Sequence, residues 1–253
     1  SYFKFDRGAT FKRANTLYGA RSKANELELH GTKQPHDLSH KGLAAWIDDD
    51  ERRQTEGIGN IHAIKMQMLK DGHYLDLEKR ISTALFNAAN YPTANKTTLV
   101  GAAQWSDPTS DPKRAVINAA SGLIKQPNTM VVGKLVDNTL QTHPKVLDAI
   151  KYTMGGVNVT HETLARYFQV ERYMVGEAHE DTAQEGQAET LGYIWGDFAW
   201  IGYVNYTNAT GPAMISQPSF GWLPISRGDT GNPWRVFTRS PDPTMGVGDG
   251  MGY

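Results

Sequence analysis

The sequence predicts a mixed α+β fold, and three observations carry that prediction. Helical periodicity runs through residues 60–90. Strand-like and helix-like segments alternate over 96–206. The first 45 residues show strand alternation with few apolar anchors. At 253 residues the chain can bury roughly 70–75% of the surface its unfolded form exposes, so it needs no covalent or metal staple. It has no cysteine, which excludes a disulfide framework, a zinc ribbon, an iron–sulfur site and a thiol nucleophile. A formal net charge of −1 excludes a chain that is basic overall and grips nucleic acid everywhere. No apolar run reaches the roughly 18 residues of a membrane span. Ser1-Tyr2-Phe3-Lys4-Phe5 has no apolar signal region, so synthesis in the cytoplasm is the expectation. The glycosylation sequons at Asn95, Asn158, Asn205 and Asn208 then read as chance matches.

Charge is uneven at the front. Residues 1–45 hold eight cations (Lys4, Arg7, Lys12, Arg13, Arg21, Lys23, Lys33, Lys41) against four acids. Residues 46–60 hold five acids and two arginines, with Asp48-Asp49-Asp50-Glu51 clustered. This reads as a solvated arm, then the acidic first turn of a helix, where carboxylates suit the macrodipole. Glu26-Leu27-Glu28-Leu29-His30 alternates as a strand, Gly31 to Pro35 reads as turn or loop, and Leu43 to Ile47 as the return. The result is a long charged hairpin, which is not stable alone in water and needs something to lie on.

Ile61, Ile64 and Met68 fall at helical spacing, and Leu77, Ile81, Ala84, Leu85 and Ala88 continue it on one face. Asp71-Gly72 predicts a break or kink and Pro92 the end. Lys96 to Trp105 is rich in β-branched residues and reads as a strand. Asp111-Pro112 is an N-cap with proline at the first helical position, opening a helix through Ile124. Thr129 to Gly133 is a short buried-type strand. Asp137 to Lys151 is a helix in two pieces meeting at Pro144. Thr160 caps a helix running to Phe168. Arg172 to Glu177 and Tyr193 to Tyr206 are strand candidates. Residues 212–253 hold six of the twelve prolines and the glycine-spaced tail Gly246 to Tyr253; only Trp234 to Phe237 is strand-like there, and the rest reads as loop.

No phosphate loop, zinc-protease helix, dinucleotide fingerprint or nucleophile elbow occurs. His36 and His40 are four apart in a proline-containing loop without an acid as third ligand, so they are not read as a metal site. His143 and His161 read as surface or capping residues. Arg227-Gly228-Asp229 reads as a turn. The aromatics Tyr193, Trp195, Phe198, Trp200, Tyr203 and Tyr206 read as sheet core and sheet face rather than a sugar platform. No catalytic, metal-binding or cofactor-binding residue is assigned, and no cofactor is expected.

The stretch Pro127-Asn128-Thr129-Met130-Val131-Val132-Gly133-Lys134, continuing to His143-Pro144-Lys145-Val146-Leu147-Asp148-Ala149-Ile150-Lys151-Tyr152, resembles tailed-bacteriophage major capsid proteins. So do, in order, Gly42 to Asp49, Leu85 to Tyr91, Gln104-Trp105-Ser106-Asp107, Val175 to Ala178, Thr182 to Gly186, Tyr193 to Asp197 and Pro218 to Gly221. The resemblance covers residues 40–222 and rests on the ordered series rather than on one motif.

The resemblance implies the Hong Kong ninety-seven (Johnson) capsid fold, an α+β architecture. Its parts would be an N-arm over 1–12, an E-loop hairpin over 13–50, a peripheral domain with spine helix and long strand over 51–112, an axial domain over 113–230 and a C-terminal return segment over 231–253. Relatives return with one more strand near the C-terminus, so an incomplete return is the expectation here. The implied function is a major capsid protein that self-assembles as pentamers and hexamers into an icosahedral shell around double-stranded DNA. The implied place is the virion capsid, assembled in the host cytoplasm. Scaffold, portal and decoration proteins are the further implied partners. DNA is touched non-specifically, and no membrane is involved. Intersubunit contacts are expected at Phe3, Phe5, Arg13, Lys23, Glu26, Glu28, Lys33, Asp49 and Glu51. Near-zero net charge suits such a container, because a strongly basic wall would hold the phosphates. Two rivals stand beside this reading. One is an encapsulin-type nanocompartment shell of the same fold. The other is an α/β carbohydrate-active or hydrolytic enzyme, which would need acids such as Asp197 and Glu177 converging near Trp195 and Trp200.

Overall fold

The structure, a computed structural model, describes residues 2–5, 13, 16, 17, 23, 31–35, 41–55, 59–153, 159–206, 237–239 and 248–252. The chain divides into two units. In the smaller, β1 (Tyr2–Phe5) pairs antiparallel with β2 (Gly31–Gln34), Phe3 opposite Lys33 and Phe5 opposite Gly31. The turn expected at Gly31 to Pro35 is therefore strand through Gln34. Its Gly-Thr start signals a turn locally, and the partner that makes it a strand lies near the other end of the segment. The strand expected at Glu26 to His30 lies outside the described residues, as do His36, His40 and Arg227 to Asp229.

In the larger unit, β3 (Ala44–Asp48) alternates as an amphipathic strand should, with Ala45 and Ile47 buried and Trp46 63% exposed. Its partner is β10 (Gly248–Gly252), which runs antiparallel between β3 and β9 (Phe237–Arg239). Residues 43–47, expected as a strand, thus fall largely in β3; the expected hairpin partner lies outside the described residues, and the glycine-spaced tail is corrected from loop to strand over Gly248–Gly252. Period-two glycines lower strand propensity, so nothing local announces the strand. The register sets Gly248, Gly250 and Gly252 opposite Asp48, Trp46 and Ala44, all on one face of the sheet.

The acids after β3 open helix α1 (Asp49–Gln54), and Arg52 and Arg53 close it, so both ends suit the macrodipole. Helix α2 (Ile61–Phe86) is capped by Asn60, whose side chain accepts from the His62 amide at 3.1 Å. It is one 26-residue helix, about 39 Å long. The break expected at Gly72 is absent. A Cβ at Gly72 would lie 3.3 Å from Leu43 Cδ1, so this glycine serves the close approach of the segment entering β3. Ile61 and Leu69 pack with Ala45 and Ile47, joined by Met66. Short 3₁₀ turns follow at Ala88–Asn90, Thr93–Asn95 and Gly101–Ala103. The strand expected over Lys96 to Trp105 does not form a ladder. Lys96 and Val100 are extended, but β-branched residues only favour that conformation; a strand also requires a neighbour, and none is present among the described residues.

Helix α3 (Pro112–Ser121) begins as expected, with the Asp111 carboxylate accepting from the Arg114 amide at 3.0 Å. All five residues of β4 (Thr129–Gly133) are buried. β4 pairs parallel with β5 (Arg172–Gly176) and antiparallel with β8 (Ala199–Gly202). Helices α4 (Lys134–Thr142) and α5 (Pro144–Thr153) meet at His143, since proline cannot continue the preceding ladder. Helix α6 (His161–Phe168) carries a reciprocal cap between Thr160 and Thr163. Met130, Val132, Leu140, Val146, Leu164 and Phe168 form the centre of the main core. β6 (His179–Asp181) and β7 (Leu191–Tyr193) make a hairpin. The long strand expected over Tyr193 to Tyr206 is split into β7 and β8, with Gly196 at φ 56° in the turn between them.

Candidate functional site

Among the described residues, no group of three or more His, Asp or Glu is placed to hold a metal ion. No helix there is long and apolar enough to cross a membrane. Chemistry therefore has to be sought in paired groups and in exposed surface.

Ser110 and His143 form one such pair, with Ser110 Oγ 3.1 Å from His143 Nε2. Of the two expected roles, surface or capping residue, His143 takes the second: it is buried and is the C-cap of α4. Its Nδ1 accepts from the Lys145 amide at 3.2 Å, which puts the ring proton on Nε2. Nε2 then faces Ser110 Oγ and the Asp107 carbonyl oxygen at 3.2 Å as a donor. A histidine acting as base on serine needs the opposite arrangement. The pair clips the 107–110 turn to the α4–α5 junction, helped by Lys145 Nζ donating to the Thr109 carbonyl at 2.8 Å.

Asp137 is fully buried. Its carboxylate accepts from Tyr173 Oη at 3.1 Å and Gln141 Nε2 at 2.9 Å, and lies 3.3 Å from His161 Nε2 and 3.7 Å from Lys134 Nζ. Burial first, and the Asp137 charge second, push the Tyr173 phenol far above its ordinary range. Lys134 also donates to Glu177 at 2.7 Å, which holds the Glu177 carboxyl below its usual value. This cluster ties α4, α6 and β5 together, and each polar atom serves a neighbour. Sequence reasoning missed it. Asp137 stands in a first helical turn, where an acid has an ordinary explanation, and its partners Tyr173 and His161 come from distant segments.

Of the groups the enzyme rival needs, Glu177 and Trp195 are engaged elsewhere. Glu177 is bonded to Lys134, and the Trp195 indole N–H donates to Glu78 at 2.8 Å. Trp195 and Trp200 are buried in a small cluster with Val131 and Ile194. Trp195 meets the edge of Phe86 at 5.9 Å between ring centres. Asp197 sits in the turn between β7 and β8.

The expected contact residues fall in both units. Phe3 and Phe5 lie in β1, and Lys33 in β2. Arg13, Lys23 and Lys33 are exposed, and Glu26 and Glu28 lie outside the described residues. Asp49 opens α1, and Glu51 pairs with Lys65 of α2 at 2.9 Å.

The surface that stands out is the outer side of α2. Sequence spacing assigns Ile64, Met68 and Ile81 to the same covered face as Ile61. Instead they are 54%, 56% and 41% exposed. The helix is apolar on two sides: among the described residues β3 covers Ile61 and Leu69, and Ile64 and Met68 stay exposed. Ala63, Ile64, Gln67, Met68 and Asp71 line this open, shallow face. Gln67 Nε2 donates to one Asp71 oxygen at 2.7 Å.

No protein-family profile matches the chain. It is 32% identical over 199 residues to the major capsid protein of Pseudomonas phage JBD67, covering 78% of this chain and 64% of that protein. It is 27% identical over 184 residues to the major capsid protein of Burkholderia phage BcepMu, covering 71% of this chain and 58% of the relative. The chain thus spans less than two thirds of the length of both relatives. Among solved structures, a phage-related protein from Bordetella bronchiseptica RB50 shares the fold, with a TM-score of 0.64 over 93% of this chain and 75% of that one, at 22% identity.

Proposed function

We propose that this chain, a homologue of phage major capsid proteins, is the structural subunit of a phage head and works by assembling with copies of itself rather than by catalysis. The observation that carries the reading is the open apolar side of α2, beside a core already closed by β4, α4, α5 and α6. Exposed apolar surface of that extent on a 26-residue helix asks for a partner. Contacts between unlike patches that close by rotation build rings of five and six, and such rings tile a shell.

On this reading the architecture is of the Hong Kong ninety-seven type. Residues 1–12 act as the N-arm, 13–50 as the E-loop, 51–112 as the peripheral domain with α2 as its spine helix, 113–230 as the axial domain and 231–253 as the return. Pentamers and hexamers enclose double-stranded DNA in an icosahedral shell within the virion, assembled in the host cytoplasm. Scaffold, portal and decoration proteins are its further partners. Phe3, Phe5, Arg13, Lys23, Glu26, Glu28, Lys33, Asp49 and Glu51 contribute to contacts between subunits. Electron microscopy of the purified protein tests the reading. Hollow shells are expected, and a monomer that persists under every assembly condition overturns it.

A further inference from the structure

A net charge of −1 conceals a strong asymmetry along the chain. Residues 112–153 hold six Lys or Arg against two acids, whereas residues 173–226 hold six acids and no Lys or Arg. Some of these charges meet within the subunit: Lys134 pairs with Glu177, Lys79 with Glu180, and Lys113 lies over the Tyr167 ring. Arg114 on α3 and Glu185 and Glu189 in the β6–β7 loop are different. Among the described residues none of these three side chains has an ion-pair partner. Each set of charges stands beside an exposed apolar residue. Arg114, Ile117, Asn118 and Ser121 share one face of α3 in helical register, and Ile117 is 48% exposed. Leu191, at the start of β7, is 61% exposed. The Thr182 amide donates to the Thr190 carbonyl at 3.0 Å, so the chain stays extended before β7 and Glu189 is in phase with Leu191. Asp181, opposite Leu191, accepts from the Ala183 and Thr190 amides at 2.9 and 2.8 Å, which sets this loop before any partner arrives.

We propose that the acidic β6–β7 hairpin of one copy packs on the outer face of α3 of a second copy, with Leu191 against Ile117 and Glu189 against Arg114. This rests on the reading of the chain as a self-assembling subunit, and it names two surfaces that meet. The surfaces complement each other twice, apolar residue on apolar residue and acid on cation. The spacings agree. Glu189 and Leu191 are two apart on extended chain, about 6.7 Å. Arg114 and Ile117 rise about 4.5 Å along a helix, and the long arginine spans the difference. The surfaces are also unlike, so each copy offers its hairpin to one neighbour and its α3 to another, the kind of contact that closes by rotation. Other occupants of the α3 face fit less well. Residues 1–45 carry eight cations against four acids, the same sign as Arg114. A phosphate backbone has the right sign but no apolar counterpart for Ile117. The stretch from 112 to 153 adds its cations to the field at α3, and the stretch from 173 to 226 adds its acids to the field at the hairpin.

A charge swap tests the contact. Arg114→Glu puts an acid in the first turn of α3, where it suits the macrodipole, so the subunit is expected to stay folded by circular dichroism. It is expected to raise the concentration needed for assembly about tenfold, and adding Glu189→Arg in the same chain to bring it back within about threefold. Unchanged assembly in Arg114→Glu, or no recovery in the swap, overturns the proposal. If Arg114→Glu assembles as the parent does but no longer retards duplex DNA in a gel shift, α3 faces nucleic acid and the proposal falls. The absence of cysteine allows a second measurement. Asn118→Cys and Gln187→Cys, both at exposed positions, are made in separate chains and leave the proposed charges and apolar residues intact. Assembled together and treated with a short bismaleimide, they are expected to give a linked dimer on a denaturing gel, and neither variant alone is expected to give one. No dimer from a mixture that assembles overturns the contact. If the natural sequence forms no oligomer at all, the capsid reading falls and this contact with it. If it assembles and the swap is silent, only this contact falls.

Discussion

Met130 and Val132 in β4 and Ile64 and Met68 in α2 are comparably apolar side chains in opposite settings. The β4 pair is fully buried, closed in by α4, α5, α6 and the flanking strands. The α2 pair is more than half exposed on a helix whose other side is already packed on β3. Burial of equal worth per unit area is completed within the subunit in one place and left open in the other. The consequence is a division of labour. β4 and its neighbours set whether a subunit is folded, and on the proposed reading the open side of α2 is what folded subunits use on one another.

Mutations can break or sharpen that division. The largest effect is expected for Met130→Ala, a cavity in the closed core, at about 2–5 kcal/mol of unfolding stability by urea titration. A loss no larger than that of a surface change would dissolve the contrast. Gly133→Ala comes next. Its Cβ would lie 1.9 Å from the Gly196 carbonyl oxygen, an overpacking that is expected to cost about 1–3 kcal/mol in the same titration. Thr160→Ala removes the cap of α6 and should cost about 1 kcal/mol. Met68→Ala should leave unfolding within about 0.5 kcal/mol of the parent while weakening assembly, read by sedimentation velocity. Equal damage to both would mean that α2 is closed within the subunit after all.

The smallest expected effect is local and depends on pH. The Ala183 amide first, and the Thr190 amide second, donate to Asp181 and hold its carboxyl below the ordinary value. A carboxyl with a lowered folded pKa contributes stability above its unfolded pKa and loses it as pH falls through the folded one. The Ala183 and Thr190 amide resonances should therefore shift together below about pH 4, while β4 resonances stay fixed. Amide shifts that stay constant down to about pH 2 would show that the carboxylate does not hold this loop.

What could be read from the sequence follows the same line between local and distant causes. Asp111-Pro112, Thr160 and Pro144 act on their own turns of helix, and the structure has caps and a junction at those residues. β4 was legible because five buried-type residues in a row leave little alternative. The failures all need a second segment to decide them. Residues 96–100 have the composition of a strand but no ladder partner among the described residues. Residues 248–252 have the composition of a loop but lie between two strands. Gly72 reads as a helix breaker until Leu43 is seen beside it. The periodicity of α2 showed that it is apolar without showing that it is apolar on two sides.

The pairing of β3 with β10 also bears on the order in which the larger unit folds. Ala44 is made well before Gly252, yet they are ladder partners. Closing so long a loop is slow relative to forming the helices between. A nascent chain could thus complete the compact region around β4 while the ladder edge of β3 still waits for residues 248–252. Strand completion then acts as a timer: β3, the support on which α2 packs, is finished only after residues 248–252 have emerged.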